Sequence, residues 1–300
     1  MNTYLGIDLG GTNVRVAKVD ELGNIIQQVK GPSYGQEGPR KVIDNIIAMI
    51  KQIDNYSECL GVGIGVPGPV NTEEQVMSMS TNLQGFTGYP MAKEISEAIN
   101  MPVYLDNDAN VAGLAESLVG AGKGKNVVYY VTISTGIGGA LVANGKLVSG
   151  RRGYAGEVAN IVIDRNREKI NHLNVGAVEN EASGTALVRK ARSIITDKEI
   201  RHAGDVFALA SEKDERALKL VDEMTTDLAY MFSIIAHICD PHMFVLGGGV
   251  MKSADAFLPQ VIEKFKGLVH EQMKDIPFVK AELEEPGVIG AAMLPVSMRG

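Results

Sequence analysis

The sequence predicts an α/β protein of two domains, and three features of the chain carry that prediction. A strand, glycine turn and strand open the chain, a second unit of the same grammar begins near Asn126, and the residues between them alternate strand-like and helix-like patterns. A length of 300 residues is too great for one small core and suits two domains of ordinary size.

Residues 4–9 are apolar with β-branched and aromatic character, break at Gly10-Gly11 and resume as an apolar-rich run over 14–19. That pattern is strand, tight turn, strand. A second turn at Asp20-Glu21-Leu22-Gly23-Asn24 precedes a strand over 25–29, so the opening is a three-strand meander. Val42, Ile43, Ile46, Ile47, Ile50 and Ile53 recur at helical spacing. Residues 60–66 form a glycine-laced strand that ends at Pro67-Gly68-Pro69. A helix over 91–99, a short strand over 102–105 and a helix over 110–119 follow.

Glycines cluster over 120–124, where the domain boundary is expected. The second unit then runs as a strand over 127–133, a glycine turn over 134–139 and a return strand over 140–143. Asn144-Gly145 is the strongest hairpin signal in the chain. Helices are expected over 184–195 and 215–239, the latter stopped at Asp240-Pro241. A buried strand over 243–246 ends in Gly247-Gly248-Gly249, and a closing helix over 288–294 is expected to pack back onto the first domain. The expected domains are therefore 1–120 with about 287–300, and 121–286.

Composition narrows the function classes. A net charge of −7 provides no basic footprint for nucleic acid or an anionic membrane. Cys59 and Cys239 are too few for a disulfide framework or a cysteine-built zinc cluster, which suits a reducing cytoplasm. No basic leader precedes the first strand, and Thr132, Ser134, Thr135 and three nearby glycines interrupt the most apolar stretch.

Phosphates bind where backbone N–H groups point inward unobstructed, which glycine turns at strand ends allow. Three such turns follow apolar strands: Gly10-Gly11-Thr12, Gly136-Ile137-Gly138-Gly139 and Gly247-Gly248-Gly249. None has Walker or dinucleotide-fold spacing, and each alone is also an ordinary tight turn. Asp8, on an otherwise apolar strand, reads as a magnesium partner, through water or directly. Asp106-Asn107-Asp108-Ala109-Asn110 reads as a turn and helix N-cap. It also reads as a catalytic corner, with Asp108 as the base that takes a hydroxyl proton and Asn107 orienting the acceptor. Asp106 competes for the first role. Glu157 and Glu179 are carboxylates suited to pairs of sugar hydroxyls.

In combination and order, the motifs Asp8-Leu9-Gly10-Gly11-Thr12-Asn13, Pro67-Gly68-Pro69, Thr81-Asn82-Leu83, Asn107-Asp108-Ala109-Asn110, Ser134 to Gly139, Ala155-Gly156-Glu157, Ser183-Gly184-Thr185-Ala186-Leu187 and Leu246-Gly247-Gly248-Gly249-Val250 resemble the ROK family (repressor, open reading frame, kinase) of the actin-like superfamily. The resemblance implies two actin-like, ribonuclease H-like domains around a central cleft. It implies an ATP-dependent sugar kinase acting on a hexose C6 hydroxyl, with Mg2+ as cofactor and Asp108 as base. Gly68, Asn82, Asn107, Glu157, Asn160 and Glu179 are the implied sugar contacts. Asp8, Gly10, Gly11, Thr12, Asn13, Thr135, Gly136, Gly138, Gly247 and Gly248 are the implied ATP contacts, and a homodimer is the implied assembly.

One departure stands out. Where the family's kinases continue Gly-Glu-Ile-Gly-His, this chain has Gly156-Glu157-Val158-Ala159-Asn160, and Ile170, His172 and Ala177 occupy the usual zinc-cysteine places. No structural zinc is expected. An anomeric side without that histidine favours glucose or a β-glucoside, with N-acetylmannosamine or fructose as the alternative. The family also contains sugar-responsive regulators, but the first strand begins at Tyr4, so no DNA-binding domain is expected ahead of it.

Overall fold

The computed structural model describes residues 1–80 and 82–298; Thr81, which opens one of the motifs above, lies outside them with Arg299 and Gly300. Strands β1 (Thr3–Leu9), β2 (Asn13–Asp20) and β3 (Ile25–Pro32) lead to helix α1 (Pro39–Ile50), strand β4 (Val62–Val66) and a small hairpin of β5 (Val70–Asn71) and β6 (Val76–Met77). Helix α2 (Met91–Ile99), strand β7 (Val103–Asn107) and helix α3 (Asp108–Leu118) follow, then β8 (Val127–Ile133), β9 (Ile137–Ala143) and β10 (Lys146–Leu147). The remainder carries α4 (Val178–Ala182), α5 (Gly184–Ile194), α6 (Ala203–Ser211), α7 (Glu215–Cys239), β11 (Met243–Gly247), α8 (Leu258–Lys266), β12 (Phe278–Lys280) and α9 (Pro286–Ser297).

The two five-stranded sheets share one plan: β3-β2-β1-β4-β7 and β10-β9-β8-β11-β12. In each, an antiparallel meander comes first and later strands add beside its first strand. By internal contacts the chain forms two compact units, Met1–Tyr130 with Ala140–Gly156 and the described part of Ala281–Gly300, and Val131–Gly139 with Glu157–Lys280. This division differs from the boundary expected at 120–124. The glycine cluster there is tied to α3 instead, with the Gly122 N–H on the Glu116 carbonyl and the Ala121 N–H on the Glu116 carboxylate.

In the first unit the period-2 alternation of β1 decides what each sheet face carries. Leu5, Ile7 and Leu9 enter a core with Val42, Ile43 and Ile46 of α1 and Ile95 of α2. Tyr4 enters the opposite core with Val111 and Leu114 of α3 and Val288 and Ala292 of α9. Gly6 and Asp8 share Tyr4's face. A methyl on Gly6 would collide with the Val288 carbonyl oxygen, on Gly63 with that of Ala291, and on Gly290 with that of Val111. Glycines on both sides thus bring α9 to backbone contact with β1, β4 and α3. Glu116 of α3 is fully buried and accepts the backbone N–H groups of Glu282 and Leu283, which fixes the approach to α9.

The core of the second unit is aromatic. Phe232 of α7, Phe244 of β11, Phe265 of α8 and Phe278 of β12 meet with ring centroids 4.8 to 5.1 Å apart in neighbouring pairs such as Phe244–Phe278 and Phe265–Phe278. The expected hairpin at Asn144-Gly145 forms with positive φ at both residues, 52° and 74°, as a tight two-residue turn requires. No helix among the described residues is long and apolar enough to cross a membrane.

Candidate active site

In the first unit the β1–β2 turn closes on itself, the Gly10 N–H donating to the Asn13 carbonyl at 2.9 Å. Gly10 and Gly11 are half-buried, while Thr12 and Asn13 are exposed. Asn82 lies against this turn: a methyl on Gly11 would stand 3.1 Å from the Asn82 carbonyl oxygen. Gly68 leaves β4 with φ 113° and is half-buried. Asp8 lies opposite Arg15 in the β1/β2 register, and their side chains pair at 2.8 Å. One Asp8 oxygen is therefore committed to a cation, and the other has no hydrogen bond among the described residues.

The β7–α3 corner holds both readings of its motif at once. Asn107 is buried and caps α3, its Oδ1 accepting the Asn110 N–H at 2.6 Å. Asp106 is 1% exposed and accepts from the Asn107 N–H, Asn110 Nδ2 and Ser149 Oγ, at 2.8, 2.7 and 3.4 Å. Burial raises its pKa against those bonds. With its oxygens so occupied and out of solvent, Asp106 positions the corner.

Asp108 differs in each respect. The residue is exposed, and its carboxylate accepts the Ala109 N–H at 2.8 Å. Nearby protein nonetheless partly desolvates its carboxyl. Desolvation there raises its pKa, the Ala109 bond opposes the rise, and the negative charge of Asp8 adds to it. A carboxylate so shifted is a stronger proton acceptor, provided it is ionised. If Asp108 acts as a base, the acid limb of kcat/KM against pH is expected above the ordinary aspartate range, because its ionised form is the one present above the raised pKa. A profile flat down to ordinary aspartate titration, near pH 4, would contradict this.

The second unit contributes the other glycine turns. Ser134 N–H donates to the Gly136 carbonyl and Gly184 N–H to the Ser134 carbonyl, both at 2.8 Å. Glu179 of α4 accepts the Ile137 N–H at 2.9 Å, so this carboxylate props the Gly136 turn. Gly247 is buried at the end of β11, and Gly248 turns away with φ 92°, where a methyl would strike the Ile133 carbonyl oxygen. Thr135, exposed, and Gly136 and Gly138, half-buried, complete this set. A cavity of about 610 Å³ opens beside the turns, with Ser134, Thr135 and Gly249 in its lining.

That cavity is also lined by Arg192, Arg201, His202 and Lys252, which motif reading missed. Arg192 comes from α5, the adjacent Arg201 and His202 from the loop before α6, and Lys252 from the segment after β11, with no motif spacing among them. The available local signal was His202 with Asp205, which form the capping box of α6. Glu157 is half-buried and Asn160 exposed, the Asn160 Oδ1 accepting the Asn174 N–H at 2.6 Å. His172 is exposed, Ala177 is buried and bridged to Val162, and among the described residues no three His, Cys, Asp or Glu side chains are placed to hold a metal ion.

Paired α/β units on one strand plan, with glycine turns at strand ends and a carboxylate at a helix N-terminus, define the actin-like two-domain class. The chain belongs to the ROK family, which it matches over residues 4–297. It is 31% identical to a glucokinase of Halalkalibacterium halodurans over 97% of this chain and 94% of that protein. A ROK hexokinase structure from Thermus thermophilus matches with a TM-score of 0.87 at 28% identity, covering 99% of this chain and 100% of that one. A ROK family glucokinase structure from Streptomyces griseus, in complex with glucose and AMPPNP, matches at 0.77 and 26% identity, each chain fully covered.

Proposed function

We propose that the protein is an ATP-dependent hexose kinase that phosphorylates the C6 hydroxyl, with glucose or a β-glucoside as its substrate. The observation that carries this reading is Asp108: accessible, raised in pKa and held at a helix start by a corner whose other acid is fully engaged. The glucokinase and hexokinase relatives support the same class of reaction.

In the proposed reaction Asp108 takes the C6 hydroxyl proton, the C6 oxygen bonds to the γ-phosphorus, and the bond to the β-phosphate oxygen breaks to release ADP. Asn107, Gly68, Asn82, Glu157, Asn160 and Glu179 are the proposed sugar contacts. Carboxylates that accept two hydroxyls orient a sugar well. Backbone N–H groups of the glycine turns at Gly11–Thr12, Thr135–Gly136 and Gly247–Gly248 are the proposed phosphate ligands, with Gly10, Asn13 and Gly138 shaping the turns around them. Asp8 fits Mg2+ as one carboxylate with an uncommitted oxygen, so phosphates and water would complete its shell. Bound there, the ion would neutralise charge on the transferring phosphoryl group.

A coupled ADP-release assay over glucose, cellobiose, N-acetylmannosamine and fructose tests the substrate. Turnover is expected with glucose or cellobiose, and turnover of the amino sugar alone would overturn the assignment. The acidic net charge supports a protein without nucleic-acid partners, and the family resemblance supports a cytoplasmic homodimer, which light scattering tests.

A further inference from the structure

Residues 157–177 contain no helix, and their main pairing is the Val162–Ala177 bridge with its flanking Ile163 N–H to Gly176 carbonyl bond. Arg167 lies within this segment and spreads its guanidinium over three carboxylates. Nε donates to Asp164 at 2.9 Å, Nη1 to Glu181 of α4 at 3.0 Å, and Nη2 to Asp227 of α7 at 3.1 Å. Lys190 of α5 adds a second cation on Glu181 at 2.7 Å. The Glu181 and Asp227 side chains are each 4% exposed.

This arrangement is costly. Buried ion pairs recover their desolvation penalty only with good geometry and full hydrogen bonding. Here the second Asp227 oxygen is buried without a hydrogen-bond partner among the described residues. Burial also pushes the Asp227 pKa up to about 6, with Arg167 and Lys190 opposing the rise and Glu181 and Glu223 adding to it. An apolar contact would hold these elements more cheaply, but only directed bonds fix their register. The register matters because α4 is short. Two residues before Glu181 it carries Glu179, whose carboxylate meets the Ile137 N–H and whose own N–H meets the Ala159 carbonyl.

We propose that Arg167 is a positioning residue: by gripping Asp164, Glu181 and Asp227 together, it sets the placement of α4 and of residues 157–177, and through them the sugar-contacting Glu157 and Glu179. The kinetic part of this inference rests on the hexose kinase reading. Arg167→Gln alone leaves the buried Asp227 carboxylate without its ion-pair partner, while Glu181 keeps Lys190, so the informative protein is Arg167→Gln with Asp227→Asn, which removes that uncompensated charge.

The test combines glucose and ATP kinetics, thermal melting and backbone hydrogen exchange on the full chain. The double variant is expected to melt near the wild type. Its glucose KM should rise by about 10-fold or more, with kcat within about 3-fold. The ATP KM should change less, because the Ser134–Gly136 turn keeps its bonds to Gly184 and within itself. Exchange over residues 157–182 should quicken while the α7 core stays protected. Arg167→Lys, which retains the charge but not the three-way fork, should recover part of the loss. A glucose KM within about 2-fold of wild type, or parallel loss in both KM values and kcat, would overturn the proposal. If the wild type turns over no sugar, the kinase reading fails, and exchange alone decides: unchanged exchange over 157–182 overturns the positioning role and quickened exchange upholds it.

Discussion

Asp108→Asn is expected to lower turnover by about 10²- to 10⁴-fold, the usual contribution of a general base, while glucose binding persists. Asparagine keeps the shape and can still accept the Ala109 N–H, so the start of α3 is preserved; it cannot take a proton. Calorimetric titration of glucose beside steady-state rates separates the two effects. Asp106→Asn provides the comparison. Its carboxylate ties together the Asn107 N–H, Asn110 and Ser149, and amide replacement there turns an acceptor toward a donor, loosening the corner. If Asp108→Asn retains near-normal kcat while Asp106→Asn abolishes it, the base is Asp106 and the present assignment falls.

The second large effect is on stability. Gly290→Ala places a methyl against the Val111 carbonyl oxygen, a backbone atom that cannot rotate aside as a side chain can. Relief requires α9 to shift from α3 and therefore from β1 and β4. Overpacking of this kind costs about 3 kcal/mol. The loss should appear as a lower denaturant midpoint with little change in slope. Gly31→Ala is the control, since its methyl would meet Met49 at 3.8 Å, an ordinary contact. Equal stability of the two variants would remove the argument that α9 needs glycine.

Much of the architecture was legible because the opening strands and long helices repeat their apolar residues at clear periods. β1 to β3 and α7 follow their patterns closely. The return strand β9 begins at Ile137 and not at Ala140, because Gly138 and Gly139 lie within the strand as well as beside the turn. α3 begins at Asp108, two residues before the apolar pattern suggests, because capping by Asn107 starts a helix without any apolar signal. Short elements escaped. α4 has five residues and α6 is capped by His202 in place of a usual serine or threonine. α8 shows only Leu258, Val261 and Phe265 as buried anchors.

The site was legible where chemistry sits in contiguous motifs and illegible where it is assembled from single residues. Asp108 and the glycine turns belong to the first kind. Arg192, Arg201, His202 and Lys252 share one cavity but no sequence pattern. The Arg167 cluster draws Asp164, Glu181 and Asp227 from three places, and nothing in their spacing announces a common partner.

The contact between β1 and α9 also sets a schedule. Residues 3–9 are made first, and the helix that covers Gly6 is made some 280 residues later. Domains ordinarily fold in the order of their synthesis. Here the unit that begins the chain waits for its end, so it is completed last. Until then the sheet face shared by Tyr4, Gly6 and Asp8 has α3 but lacks α9, and the surroundings of Asp8, against which Gly287 packs, are completed only once α9 has been made.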